Sequence, residues 1–218
     1  MSWSWPFVAE ILPFLIQGLW VTVKITLVAS ALAMVIGLVF AFAKMSRVNA
    51  LRATANVISE AIRRTPFLVQ LYFLFYVLPD IGILLAPVTA GILGLSVHYG
   101  AYISEVYRAG ILSVPGGQWE AARACNLTQR QTWIQIVLPQ AIPPVIPPLG
   151  NYVIAMFKET PILSAISVLD VMGQALAQAS YNYRYLEPIS LVAGAFLFVS
   201  LTSAALIKLL ERRLQRVD

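Results

Sequence analysis

The 218 residues carry 15 Lys/Arg against 10 Asp/Glu, a net charge of +5, yet only 11% of the chain is charged and 59% is hydrophobic. An ordinary soluble domain carries about 25% charged side chains, and so few could not cover the surface of a soluble fold. With a mean hydropathy of +0.78, this composition excludes intrinsic disorder, a nucleic-acid-binding module and a secreted disulfide scaffold. It describes an integral membrane protein. Cys125 has no partner for an internal disulfide, and His98 none for a multi-histidine metal or haem site. No metal site and no catalytic group is expected. The first residues, MSWSWPFVAE, contain no Lys or Arg. They lack the basic start of a cleavable signal peptide, so the first apolar span is expected to stay in the mature protein.

A bilayer core takes roughly 20 apolar residues of helix, and five stretches approach that. They run from about Leu12 to Ala43, Ile58 to Leu78, Ile81 to Ile103, Ile136 to Phe157, and Ile189 to Leu209. None alternates apolar with polar residues as a barrel strand does. The expectation is an all-α membrane protein of about five transmembrane helices, one folding unit over residues 1–218. Two connections are longer than turns. One, about 108–138, is amphipathic. The other, about 160–188, is moderately apolar but interrupted by charge, and reads as a short helix lying on the outer surface or dipping between the spans.

Basic residues set orientation. Lys44, Arg47, Arg52, Arg63 and Arg64 lie between the first two spans. Arg108, Arg123 and Arg130 lie between the third and fourth, and Lys208, Arg212, Arg213 and Arg216 end the chain. All fall on one side, which should be the cytoplasm, with the N-terminus outside and the C-terminus inside. The other side receives Glu10, Asp80, Glu159, Asp170 and Glu187, with Lys158 and Arg184.

Charges at membrane depth are costly and tend to be functional. Lys24 sits near the outer end of its span and reads as a snorkelling side chain. Glu105 is spaced i,i+3 from Arg108, as a structural ion pair or a pathway group. Lys158 and Glu159 close the fourth span at the outer boundary, either as interface anchors or as the cation and carboxylate that a zwitterionic solute needs. Asp170 and Glu187 offer contacts to an external partner. Five prolines (Pro139, Pro143, Pro144, Pro147 and Pro148) should disturb the start of the fourth helix, as a hinge or as a packing irregularity. His98 reads as a pore-facing or helix-packing residue.

The cytoplasmic connection holds EAARACNLTQRQTWIQIVLP, Glu120 to Pro139. Glu120 to Cys125 predict a short helix with a carboxylate at its favourable end. Asn126-Leu127-Thr128 should break it, because Asn tolerates the left-handed backbone. Thr128 with Gln131 predicts a capping box opening a second helix, which should end at Leu138-Pro139. Two short helices joined by a kink would present a knob to a partner, or simply connect two spans.

Glu120-Ala121-Ala122, three residues, Asn126, nine residues and then Ile136-Val137-Leu138-Pro139 resembles the EAA signature of bacterial ABC-importer permeases. Asn126 stands where Gly is usual, an exchange that keeps access to positive φ. RRTPFLVQLYFLFYVLP, from Arg63 to Pro79, is similar to a segment of the polar amino-acid uptake branch, with Arg64 in place of Gly. Tyr102–Arg108, Pro115-Gly116-Gly117-Gln118 and Lys158-Glu159-Thr160-Pro161-Ile162-Leu163 continue that likeness, and within the branch the ectoine/hydroxyectoine permeases are the nearest in appearance.

The resemblance implies a type I ABC importer permease in the bacterial inner membrane, translocating a polar amino acid or a compatible solute such as ectoine by alternating access. It implies a partner permease, identical or sister, two cytoplasmic ATPase subunits that bind ATP and Mg, and an external binding protein. Glu120, Ala121, Ala122 and Asn126 would form the coupling helix. The chain has no G-x-x-x-x-G-K-[ST] loop, so no ATPase site or cofactor of its own is expected. A stand-alone channel or secondary transporter is the alternative, although no internal repeat of the kind common in secondary transporters is visible.

Overall fold

The computed structural model describes residues 3–214. Arg216 of the terminal basic cluster lies outside them, as do the side chains of Arg212 and Arg213. The regular structure of the described residues is all helical, with no strand among them. Ser4 caps α1 (Trp5–Lys44), accepting a hydrogen bond from the Phe7 amide at 3.4 Å. Helix α2 (Asn49–Arg64) follows, a mostly exposed helix burying only Ala55 and Ser59.

The expected second span is broken at Thr65-Pro66. Proline lacks an amide hydrogen and pushes its predecessor out of the helical region, and Thr65 is extended at φ −101°, ψ 131°. The apolar helix therefore starts at α3 (Phe67–Tyr72). It continues through a π turn (Phe73–Val77) and a 3-10 turn (Leu78–Ile81). Arg63 and Arg64 stay at its foot on α2.

The 26-residue α4 (Pro87–Leu112) is long enough to span, at about 39 Å. It buries Ser96, His98, Tyr99 and Ser104 against its neighbours, which explains its modest apolarity. Helices α1 and α4 cross closely because small residues meet. A Cβ on Gly100 would stand 2.7 Å from Ile36 Cγ2, and one on Gly37 would stand 2.7 Å from Ile103 Cγ2. Such contacts replace the hydrophobic drive that lipid does not supply.

After α5 (Gly116–Ala124), one proline-rich rod runs through α6 (Gln129–Gln131), a π turn (Thr132–Val137), α7 (Leu138–Ala141), a 3-10 turn (Pro143–Val145) and α8 (Ile146–Glu159). The second helix of the 108–138 connection thus passes Pro139 instead of ending there. The ladder absorbs the missing amides by changing its hydrogen-bond register.

Helix α8 has 14 residues, about 21 Å, and it stops inside the bundle. Met156 lies 3.4 Å from Ser30 Oγ, Glu159 meets Tyr99 near the middle of α4, and Leu163 packs against Gly91. Glu159 is therefore not at the outer boundary. The 3-10 segment Thr160–Ile166 plugs the main core with Leu163 and Ile166. Helix α9 (Val171–Asn182) then runs along the N-terminal half of α1, where Val171 and Ala175 pack on Ile11 and Leu15. The connection dips between the spans, as one of its two readings had it.

Asp170 and Glu187 are wholly buried, so neither offers a surface to a partner. Asp170 Oδ1 caps α9 by accepting from the Gly173 amide at 2.8 Å. Glu187 accepts from the Ser4 amide at 3.0 Å and pairs with Arg184. Helix α10 (Leu186–Leu214) closes the chain.

By length and apolarity alone, two described helices can cross a membrane: α1 and Leu186–Leu209 of α10. The bent pair Pro143–Ile166 and Val171–Asn182, meeting at 45°, makes a third if counted as one span. The remaining spans of the five are the short α3 with its extension and the polar-lined α4.

Candidate functional site: a helical knob and a tyrosine tract

Helix α5 stands out on the face that carries the basic loops. Its Ala122 is buried, and Trp119 packs edge-on against Trp133 of the rod, with ring centroids 5.5 Å apart. Met45, Ile111, Val114, Val137 and Ala141 complete that footing. Glu120, Ala121 and Asn126 are exposed. Asn126 adopts φ 53°, so the helix stops where the spacing predicted, on a residue that tolerates the left-handed region. Thr128 then opens the rod with a full capping box. Its amide donates to Gln131 Oε1 at 2.9 Å, and its hydroxyl accepts from the Gln131 amide at 3.3 Å. The result is a helical knob with a free face and a fixed base.

The interior carries a second constellation. At its lower end Glu105 gathers three cations from three helices. Lys44 reaches Oε1 at 2.8 Å, Arg108 reaches Oε2 at 2.9 Å, and Arg63 lies 3.4 Å from Oε1. The Lys44 side chain is only 1% exposed and also donates to Ser104 Oγ at 2.7 Å.

Above this cluster stand Tyr102, Tyr152 and Tyr99. Ring centroids are 6.0 Å apart for Tyr102–Tyr152 and 5.9 Å for Tyr99–Tyr152. The Tyr102 hydroxyl donates to the Arg63 carbonyl at 2.9 Å. His98 packs on Phe67, Tyr99 and Tyr102, and its Nδ1 is 3.2 Å from Gln70 Oε1. Gln70 in turn donates to the Ile62 and Thr65 carbonyls at 2.7 and 2.9 Å, satisfying the backbone that the α2–α3 break leaves open. At the top Glu159 faces the Tyr99 hydroxyl, while its Oε2 is buried without a hydrogen-bond partner.

Of the sequence-derived pathway residues, Glu105 and Glu159 thus bracket one tract. Lys158 does not join them. Consecutive helical residues point about 100° apart, and Lys158 is exposed in a groove with Asn151, Phe196 and Ser200. The tyrosines, Gln70 and Arg63's place beside Glu105 had escaped the sequence reading. The i,i+3 spacing of Tyr99 and Tyr102 was the available signal. Lys24 covers the Trp20 ring at 5.1 Å, a cation–π contact suited to an interface.

The model of the family described as "binding-protein-dependent transport system inner membrane component" matches residues 33–216. The chain is 39% identical over 210 residues, 96% of its length and 91% of the relative's, to the probable amino-acid ABC transporter permease protein y4tG of Sinorhizobium fredii. It is 36% identical over 205 residues, 94% of its length and 88% of the relative's, to the L-cystine transport system permease protein TcyB of Bacillus subtilis. Among solved structures, that of an amino acid ABC transporter with histidines superposes with a TM-score of 0.92 at 37% identity, covering 98% of this chain and 100% of the other. The inward-facing methionine transporter MetNI shares the fold at 21% identity, with a TM-score of 0.72 over 95% of this chain and 99% of that one. The match over most of the chain, together with the knob at the EAA position, makes this protein a member of the binding-protein-dependent transport system inner membrane component family, with the permease fold of a type I ABC importer.

Proposed function

We propose that the chain forms half of the translocation pathway of an ATP-driven importer for a polar amino acid or a related zwitterion. The observation that carries this reading is the knob: exposed Glu120 and Ala121 on a helix rooted through Ala122 and Trp119, ended by Asn126 at φ 53°. A docking element needs this combination of a free face and a rigid base. The relatives' names supply the substrate class, since they specify amino acids and cystine. Ectoine, which is compact and zwitterionic, belongs among the solutes to be tried.

In this reading two ATPase subunits bind ATP and Mg and dock on the knobs of this chain and of an identical or sister permease. An external binding protein delivers substrate, the N-terminus lies outside and the C-terminus in the cytoplasm. The chain itself hydrolyses nothing. Movement of the knobs switches the bundle between two access states, each stabilised by its own contacts. Glu159 and Glu105 serve the pathway because they bound the tyrosine tract, whereas Lys158 lies apart from that tract.

The test is a tagged purification from native membranes in mild detergent, with mass spectrometry of the accompanying chains and uptake of amino acids and ectoine in liposomes. An ATPase with a phosphate-binding loop should co-purify. Glu120→Arg should leave membrane insertion intact and uncouple hydrolysis from uptake. Normal transport by that variant would remove Glu120 from the docking role. A chain that purifies alone and moves solute without any ATPase would be a channel or secondary transporter.

A further inference from the structure

A cavity of about 440 Å³ opens between the lower half of α4 and the proline-rich rod, bordered by Arg63, Tyr102, Glu105, Pro144, Pro148 and Tyr152. Its charge balance is uneven. Glu105 has two carboxylate oxygens, and Lys44 and Arg108 hold them at 2.8 and 2.9 Å. Arg63 reaches only the oxygen already taken by Lys44, at 3.4 Å. Its Nε is buried and has no hydrogen-bond partner. A guanidinium hydrogen left unpaired away from water costs more than an ordinary missing bond. The free Nε belongs to the planar donor edge that grips a carboxylate with two parallel hydrogen bonds. Beside it stand the aromatic faces of Tyr102 and Tyr152, which attract a cation placed within about 6 Å.

We propose that Arg63 with Tyr102 and Tyr152 forms an exit subsite that holds the α-carboxylate of the transported amino acid, its ammonium resting against the tyrosine rings. The inference rests on the amino-acid importer reading and adds a location and an orientation to it. The solute passes Glu159, whose Oε2 is unpaired, and then meets the surplus positive charge at Arg63. An acidic station for the ammonium precedes a basic station for the carboxylate along one tyrosine-lined route. The role of Arg63 is to bind the carboxylate. Its weak contact with Glu105 keeps the guanidinium in place without satisfying it.

The test uses the full permease–ATPase complex in detergent, without the binding protein. Radiolabelled L-glutamine and L-histidine are the probes, and the corresponding α-carboxamides are the competitors. Wild type should prefer the carboxylate form to its amide by about tenfold or more, the span of one charge-assisted bond of about 1.5–3 kcal/mol. In Arg63→Gln that preference should fall to near unity, and in Arg63→Lys it should be partly kept. Co-purification of the ATPase verifies that each variant is folded. If Arg63→Gln binds as wild type does and still discriminates acid from amide, the subsite is refuted while the importer reading stands. If the wild-type complex neither binds nor, with its binding protein, imports any amino acid, both fall together.

Discussion

Replacing Glu105 by glutamine and Lys44 by methionine should damage the bundle unequally, because the two partners do not share their burial. The Lys44 side chain is 1% exposed and that of Glu105 26%. Glu105→Gln leaves the Lys44 ammonium inside the bundle with uncharged acceptors alone, the Ser104 hydroxyl at 2.7 Å and the new amide carbonyl. Removing one member of a buried pair costs about 3–5 kcal/mol. The lower figure, about 3 kcal/mol, applies because the substituted amide still accepts a hydrogen bond and the site is partly wet. Lys44→Met instead takes away the buried cation and fills its stem with an apolar one. Glu105 keeps Arg108 at 2.9 Å and Arg63 at 3.4 Å, while the Ser104 hydroxyl keeps its bond to the Ala101 carbonyl at 2.6 Å. The loss is about one hydrogen bond, roughly 1 kcal/mol. In a chain of this size each kcal/mol moves the melting midpoint by about 2–4 °C. Glu105→Gln should lower it by about 6–12 °C, Lys44→Met by about 2–4 °C, and the double variant by less than their sum. Thermal loss of the monodisperse size-exclusion peak in detergent measures all four proteins. Equal damage from the two single changes, or strict additivity in the double, would refute the argument that Lys44 is the stranded charge.

Asn126→Val forces a β-branched residue to φ 53° and should cost about 1–2 kcal/mol locally. The ATPase should then be lost from the purified complex, whereas Asn126→Gly should retain it, and equal retention by both would show that the kink does not set the knob. Gly100→Leu puts a side chain where even a Cβ comes within 2.7 Å of Ile36 Cγ2. It should separate α1 from α4 at about 1–3 kcal/mol or more, read as reduced yield of folded protein from membranes. Unchanged yield and melting would mean that this crossing adjusts freely.

The features legible in the chain were local ones. Asn126 and the Thr128–Gln131 pair announce a break and a cap within a few residues of themselves, and both stand as read. Thr65-Pro66 carried an equally local signal, but the apolar run that follows it, from Phe67 to Leu78, outweighed it in a count of hydropathy. What escaped depends on three dimensions. Hydropathy measures length along the chain and cannot register a helix that stops halfway through a bundle, so Glu159 was assigned to the outer boundary. Lys44 counted as one more cytoplasmic cation, although its partner Glu105 lies 61 residues away. The tyrosine tract joins Tyr99 and Tyr102 of α4 to Tyr152 of α8, and no spacing rule connects those helices.

The knob and the tract share one mechanical element. Trp133, which seats α5 through Trp119, and Tyr152, which borders the cavity, belong to the same run from α6 to α8. Arg63 and Glu105 belong to α2 and α4, outside that run. Where the rod passes α4, a Cβ on Gly110 would collide with Val145 Cγ2 at 2.2 Å and approach the Ala141 carbonyl at 2.9 Å, so the two are in backbone contact with no cushion between them. Between the knob and that contact lie a π turn and Pro139, within it Pro143 and Pro144, and just beyond it Pro147 and Pro148, the places where a helical ladder yields most easily. On the importer reading, a pull on α5 would reach the wall that carries Tyr152 through these yielding places, while the charged wall stays with the α1–α4 pair. Opening and closing the space between Arg63 and Tyr152 requires no deformation of the tightly packed crossing at Gly37 and Gly100. The compliance needed for transport and the rigidity needed for folding are placed in different helices.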